Sequence, residues 1–270
     1  MDIIEDIDDW RRRFSDWLQR IGNKSLDNID GDYPFVRNRR SPFTPARRAL
    51  PMLNLAVISS SGAYIDGTKP FDTEGIKGDL TYREIPIEVG AEDLRYSARG
   101  YDPVDVQQDM NSQIPIERLL EFERNGIIGQ LNPVFWSIMG FIPDAAAVVD
   151  ELAVELVARL SRYEVQAALL IPASPLCHQT MGLVARAIEA DGIPTMVISV
   201  VKDITIDVHP PRAGYYNGKP GSVSGKPKFP EHQRRILDES LRLIEPMDQP
   251  GIRKLVVELE SQVEAARGER

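Results

Sequence analysis

One cysteine occurs in the 270-residue chain, Cys177, and His178 follows it within the stretch 171–189 (IPASPLCHQTMGLVARAIE). The apolar run 165–171 reads as a strand and residues 180–190 as a helix, so the pair sits where a strand enters a helix. A thiol at a helix amino end feels the partial positive charge of unpaired amides. That favours the thiolate and predicts titration below the ordinary ~8.5. His178 assists if its ring turns toward the sulfur; otherwise it caps the turn or faces solvent. A lone cysteine is also a small buried hydrophobe, so a functional and a packing reading of Cys177 both stand.

Other polar groups could share the crevice that open α/β sheets form at the carboxyl ends of their strands. The strand expected at residues 53–60 runs into SSSGAY at 59–64, which offers Ser60, Ser61, Gly62 and Tyr64. It is neither a dinucleotide fingerprint nor a P-loop, so no nucleotide is implied. His209 and Arg212 lie in DVHPPR at 207–212, after the strand expected from residue 195. From there His209 could reach the same crevice. Arg212 could clamp a carboxylate with two parallel hydrogen bonds, or form a structural ion pair. Asp102, Asp105, Asp109 and Asn111 cluster in the turn-rich segment 97–113. Their spacing is not that of an EF-hand, and helix capping accounts for part of it. Asp109 and Asn111 are instead candidates to hold an amine or hydroxyl of a substrate. Three scattered histidines and one cysteine share no zinc-ligand spacing, so no metal site is expected.

The elements that must position these groups follow from periodicity. Ile3, Ile4, Ile7, Trp10, Phe14, Trp17, Leu18 and Ile21 recur every three or four residues, which predicts an amphipathic helix over 2–21. Its stripe either folds back on the body or forms the interface of a homodimer, which we expect. Residues 22–51 read as an irregular arm, with a basic run, RNRRSPFTPARR, at 37–48. Strands are expected at 53–60, 80–87, 135–141, 165–171 and 195–201, and helices at 114–126, 144–160, 180–190, 231–244 and 251–267. Alternation of helix and strand from 141 to 200 predicts a mostly parallel α/β sheet with helices on both faces, Rossmann-like or flavodoxin-like in its layers. The Pro- and Gly-rich stretch 207–230 suggests a functional lid or rim. Three regions result: 1–50, helix and arm; 51–245, the α/β body; and 246–270, a C-terminal helix.

Composition narrows the class. The formal net charge is −9, from 32 basic and 41 acidic residues, which argues against general nucleic-acid binding or anionic membranes. A single cysteine excludes an internal disulfide or a Cys-x-x-Cys redox pair. No apolar run reaches membrane-spanning length, and MDIIEDIDDW is not a signal peptide, so a cytoplasmic protein is expected.

Four stretches, in order, resemble the glycine/sarcosine/betaine reductase component B and D-proline reductase selenoprotein B family. They are SSSGAY at 59–64 with KPFD at 69–72 and GDLTYREIP at 78–86; YDPVDVQQDMNSQIPIERLLEFERNGIIG at 101–129 with FWSIMG at 135–140; ASPLCHQTMGLVARAIEADGIPT at 173–195; and PPRAG at 210–214 with PEHQRRIL at 230–237. The helix at 2–21 lies outside the resemblance. It implies an oxidoreductase in which a selenocysteine or cysteine attacks an activated substrate and releases an amine or opens a ring. Counting back from Glu189 puts Ser174 at the selenocysteine position, Cys177 at the following cysteine and Thr180 at a further cysteine position. A serine hydroxyl is not a soft nucleophile, so the family chemistry does not transfer whole. The expectation is a thiol-dependent reductase or lyase-type enzyme that cleaves a bond in a small amino- or carboxylate-bearing molecule. Cys177, His178 and His209 would be catalytic, with Ser174, Thr180, Arg212 and the groups above binding substrate. The alternative is a non-catalytic substrate-binding or regulatory subunit of a reductase-like complex. No bound cofactor is firmly implied. An external thiol or redox protein would donate electrons, and a reductase partner subunit is a further expected contact.

Overall fold

The computed structural model of the protein describes residues 2–22 and 32–257. Its strands are β1 Asn54–Ser59, β2 Ala63–Ile65, β3 Tyr82–Pro86, β4 Leu94–Tyr96, β5 Gln130–Leu131, β6 Val134–Ile138, β7 Ala167–Ile171, β8 Thr195–Ser199, β9 Arg212–Tyr215 and β10 Gly251–Lys254. The helices are α1 Ile7–Ile21, α2 Val104–Gln108, α3 Ile116–Arg124, α4 Ala145–Ala147, α5 Ala153–Arg162, α6 Pro175–Ala190, α7 Lys202–Val208 and α8 Pro230–Leu241. A π-helical turn, Val148–Leu152, joins α4 to α5.

The main sheet runs β10-β9-β8-β7-β1-β6-β3, with β5 continuing the pairing beside β1. All its pairs are parallel except β3 with β6. β1 and β7 are matched residue for residue from Leu55–Ala167 to Ser59–Ile171, as the expected parallel core requires. β2 and β4 form a separate antiparallel ribbon.

Parallel strands covered on both faces must be apolar on both, and β1 shows why the run at 53–60 does not alternate. Ala56 and Ile58 join one apolar cluster with Leu156 and Leu160 of α5 and Met181, Val184 and Ile188 of α6. Leu55 and Val57 join another with Leu119 and Phe122 of α3 and Ile236, Leu237 and Leu241 of α8. Helices therefore lie on both faces, the α/β arrangement expected.

The amino-terminal helix folds back on its own chain. Trp10, Phe14 and Trp17 of α1 are buried in the α5–α6 layer, with Trp10 and Phe14 stacked at 4.8 Å. The buried part of that stripe is thus covered within the chain, while Ile3, Ile7, Leu18 and Ile21 stay partly exposed. Part of the arm covers the outside of α6. The Tyr33 hydroxyl donates to Pro143 O at 2.7 Å, and Gln179 ties it to the helix by accepting from the Val36 amide at 2.8 Å and donating to the Tyr33 hydroxyl at 2.8 Å.

Two expectations are corrected. The run 195–201 is not strand throughout: β8 stops at Ser199 and residues Lys202–Val208 turn into α7. Residues Gly251–Lys254 form edge strand β10, where a helix was expected from 251. That short segment pairs with β9 through its backbone, which overrides local helix propensity. Residues 255–257 are not helical either, and 258–267 lie outside the described residues. No helix among the described residues is long and apolar enough to cross a membrane.

Candidate functional site at the amino end of helix 6

β1 has β6 on one side and β7 on the other, so the chain's direction of travel across the sheet reverses beside β1. Strand ends diverge at such a switch point and leave a crevice outside their carboxyl ends. Here the crevice is filled by the chain itself. The Ser60 amide donates to Ile171 O at 3.1 Å, and Ser60 Oγ accepts from the Ala173 amide at 2.8 Å. The Gly62 amide crosses to Ile138 O at 2.8 Å. Gly62 needs its φ of 65° and its missing side chain, because a Cβ would lie 2.5 Å from Ser97 O.

Ser174 caps α6. Its extended backbone lets Oγ accept from the Cys177 amide at 3.2 Å, and Pro175 begins the helix where no amide is needed. The same hydroxyl donates to Cys177 Sγ at 2.9 Å. Met139 O lies at 3.9 Å from the sulfur, and the Ser60 hydroxyl and the Ala173 amide also face it. Gly140 makes room for it: a Cβ there would lie 2.9 Å from Sγ and 2.3 Å from Ser60 Cβ. Thr180 Oγ1 fixes that turn by donating to Gly140 O at 2.8 Å. Ser60, Ser61, Ser174, Cys177 and Thr180 are all fully buried.

Desolvation pushes the Cys177 thiol up, against the hydrogen bonds of Ser174, Ser60 and the nearby backbone amides. This is the reverse of the expected lowering. An exposed helix terminus stabilises a thiolate, but here removal from water outweighs the amides. His178 does not turn to the sulfur either. Its Nδ1 lies 2.7 Å from Ser174 O, and its Nε2 accepts from the Val200 amide at 3.2 Å. Those bonds put the proton on Nδ1 and fasten the end of β7 to the end of β8. Burial lowers its pKa to about 4, so the ring is neutral. A base for Cys177 is not formed by this histidine.

Two segments roof the site. Tyr101 donates its hydroxyl to Ser61 O at 2.6 Å, and a Cβ on Gly100 would meet Phe141 at 2.6 Å and Ser174 Cβ at 3.3 Å. From the other side, the Gly221 amide donates to Ala173 O at 2.8 Å. Gln113 links the two: Nε2 donates to Pro172 O at 3.1 Å, and Oε1 accepts from the Val223 amide at 3.1 Å. Tyr101, Gln113 and Gly140 were not singled out as site residues, although all sit in the stretches that carry the family resemblance. Ser61 Oγ is buried without a hydrogen-bond partner.

The remaining candidates fall elsewhere. Tyr64 is in the β2–β4 ribbon, paired with Arg95. Asp109 accepts from the Lys228 amide and Gln233 Nε2, each at 2.7 Å, and from Asn111. Burial opposes its charge, but these donors outweigh it and hold the carboxyl below its ordinary range. Asn111 in turn accepts from the Glu117 amide at the start of α3. The two residues fasten the 226–233 region to the α2–α3 turn rather than closing a side of the Cys177 site.

His209 and Arg212 lie at the opposite end of the sheet, because α7 reverses the chain before β9 begins. His209 ends α7 in a left-handed conformation, and its carbonyl accepts from Ser41 and Arg186. Arg212 forms a fully buried ion pair with Glu189, donates to Thr44 O at 2.7 Å and stacks over Phe43 at 4.0 Å. It takes the structural role. A cavity of about 600 Å³ lies beyond the roof between the turn after β9 and the start of α8. Among the described residues, no three His, Cys, Asp or Glu side chains are grouped to hold a metal.

A family model for glycine/sarcosine/betaine reductase selenoprotein B matches residues 30–173. The chain belongs to this family. The match includes the switch-point serines, the Gly100–Gln113 roof and β7, and it stops one residue before Ser174. Among relatives, the D-proline reductase subunit gamma of Acetoanaerobium sticklandii is 30% identical over 209 residues, 77% of this chain and 85% of the relative. The glycine reductase complex component B subunit gamma of Symbiobacterium thermophilum is 26% identical over 215 residues, 78% of this chain and 49% of the relative. The sarcosine reductase complex component B subunit beta of Peptoclostridium acidaminophilum is 23% identical over 191 residues, 67% and 42% respectively. The chain thus spans half or less of those two reductase-complex subunits. No solved structure matches it.

Proposed function

We propose that this selenoprotein B family member is a subunit of a reductase-type complex, with a thiol-dependent redox or cleavage role toward a small amino- or carboxylate-bearing molecule. The observation that carries the reading is the Ser174–Cys177 pair, 2.9 Å apart at the amino end of α6, at the switch point of a chain from this family. A soft atom in place of the serine oxygen would sit beside the thiol, as reductive chemistry with two chalcogens needs. With serine there, Cys177 is the group left to react. Reductive cleavage takes two electrons, and one thiol cannot close an internal disulfide. The electrons therefore come from an external thiol or redox protein, which leaves as its disulfide. The strand order β6-β1-β7-β8-β9 supports a flavodoxin-like description of the layers.

A second reading, a substrate-binding or regulatory subunit without chemistry of its own, is favoured by a specific observation. Cys177 is fully buried, its thiol is held in the neutral form, and His178 is committed to two backbone partners. Turnover assays with an external dithiol and a panel of small amino acids and carboxylates separate the two. Turnover that disappears in Cys177→Ser supports the thiol role, and turnover that survives the substitution overturns it. Saturable binding of a panel member with no turnover by the wild type, alone or with its native partner subunits, supports the second reading.

A further inference from the structure

The cavity beyond the roof is built from residues that the Cys177 site does not use. Its volume, about 600 Å³, is in the range of small-molecule sites. Tyr216, Phe229 and His232 line it with ring faces and edges. His232 stacks on Phe229 at 5.8 Å with 23° between planes, and meets Tyr216 edge-on at 6.1 Å. All three rings are buried and hold their places through other contacts. The Tyr216 hydroxyl donates to Val223 O at 3.0 Å, and His232 Nδ1 accepts from the Lys226 amide at 3.1 Å. A preformed set of aromatic faces favours a flat ring as guest, through offset or edge contacts.

The charges around the rim select the guest's polar group. Asp105 and Lys219 both line the cavity and form an ion pair at 2.7 Å, so they cancel. Lys226 is exposed and forms no ion pair among the described residues. His232 is neutral, with a pKa lowered to about 4 by burial and by the Lys226 and Arg235 charges. Because Nδ1 is an acceptor, its proton is on Nε2, which makes the ring a neutral donor. One uncompensated cation and one neutral N–H suit a single negative charge with acceptor oxygens. Among the described residues that line the cavity, a second negative charge would find only Lys219, which is already paired with Asp105.

We propose that this cavity binds a planar ring carrying one carboxylate, an aryl or heteroaryl monocarboxylate. The ring lies against Phe229, Tyr216 and His232, and the carboxylate faces Lys226. The site stands apart from any thiol chemistry, but it is mechanically close to it. Ser222 lines the cavity, and the neighbouring Gly221 amide is bonded to Ala173 O, one residue before Ser174.

Calorimetric titration of the full chain near pH 7 with benzoate, benzamide and acetate tests this. Benzoate is expected to bind saturably at one site, benzamide at least tenfold more weakly, and acetate without saturation. Lys226→Ala keeps the backbone bonds of residue 226 and is expected to weaken benzoate about tenfold while leaving benzamide unchanged. Asn217→Trp, at an exposed position of the rim, is expected to remove binding of both; if this variant melts early, the Lys226→Ala comparison decides alone. Unsaturable benzoate binding, equal binding of acetate and benzoate, or benzoate affinity indifferent to Lys226→Ala would overturn the proposal.

Discussion

The two ends of α6 hold polar groups at equal burial and use them in opposite ways. At the carboxyl end, Arg186 donates to the carbonyls of Asp2, Ile3, Arg40 and His209, while Glu189 holds Arg212, the Thr195 amide and hydroxyl, and the Thr44 amide. At the amino end, about 18 Å away by helix rise, Cys177 has a serine hydroxyl at 2.9 Å and a carbonyl at 3.9 Å. One end is held by charged groups with strong partners, although Arg212 Nε is buried without one, and fastens the arm, α7 and β9 to the helix. The other holds a neutral thiol among serines in a packed crevice. A buried polar residue is therefore not in itself a sign of function; what separates the two ends is whether their bonds are between charged groups or neutral ones.

The largest expected effect breaks the charged end. Arg212→Ala leaves Glu189 charged and buried without its partner, which should cost about 3–5 kcal/mol. Cys177→Ala at the other end should cost on the order of 1 kcal/mol, since it removes one small atom with weak partners. Urea unfolding of both variants checks the contrast. Comparable losses would show that the amino end is as structural as the other.

Acid should act on the amino end next. His178 is neutral in the fold with a pKa lowered to about 4, against about 6.5 in the unfolded chain. The unfolded state then binds the extra proton first. Stability from this group is complete above pH 6.5 and falls as pH drops toward 4, by up to about 3 kcal/mol. His232 adds in the same window, and its pKa is also lowered to about 4. Melting curves at pH 7 and pH 4.5 for wild type and His178→Gln isolate the His178 share: the variant should lose less on acidification. An equal loss in both would place the histidine's proton outside the folding equilibrium.

Cys177 gives the alkaline counterpart. Its thiol is pushed up by burial, so the unfolded chain releases its proton at lower pH than the folded one, and stability declines as pH rises above about 8.5. Native-state alkylation should be slow at pH 8 and become fast only when the roof is loosened by sub-denaturing urea. Rapid alkylation without urea, with a midpoint below 8.5, would restore the picture of an activated thiolate.

These contrasts mark what the sequence could carry. β1, β7 and α6 were legible because a continuous apolar run followed by a proline and a helical period has few other solutions. Ser174 was legible only through the family resemblance, since the helix expected from residue 180 begins five residues earlier, at Pro175. The end of the sheet to which His209 and Arg212 belong was not legible. It depends on α7, seven residues rich in β-branched Ile204, Thr205, Ile206 and Val208, where no helix was expected. That short reversal moved His209, expected to be catalytic, and Arg212, expected to bind substrate, to the opposite end of the sheet. Which of the two readings of the thiol holds was equally hidden, because Tyr101, Gln113 and Gly221 close the backbone around it from segments far apart in sequence.

The smallest expected effect concerns Ser174, and it sharpens the comparison most finely. Its hydroxyl does two things, capping α6 through the Cys177 amide and touching the sulfur. Ser174→Ala should cost about 1 kcal/mol, the usual loss for a cap. Ser174→Asp would restore a cap acceptor but would bury a carboxylate beside the thiol, so it should be less stable than Ser174→Ala. Ser174→Cys places a second sulfur beside Cys177, and mild oxidation should then remove both thiols from titration with a thiol reagent. Failure of that pair to oxidise, in a variant that still melts like the wild type, would mean that the amino end of α6 is held too rigidly for two chalcogens to bond. It would also remove the geometric basis for thiol chemistry there and leave the binding-subunit reading in its place.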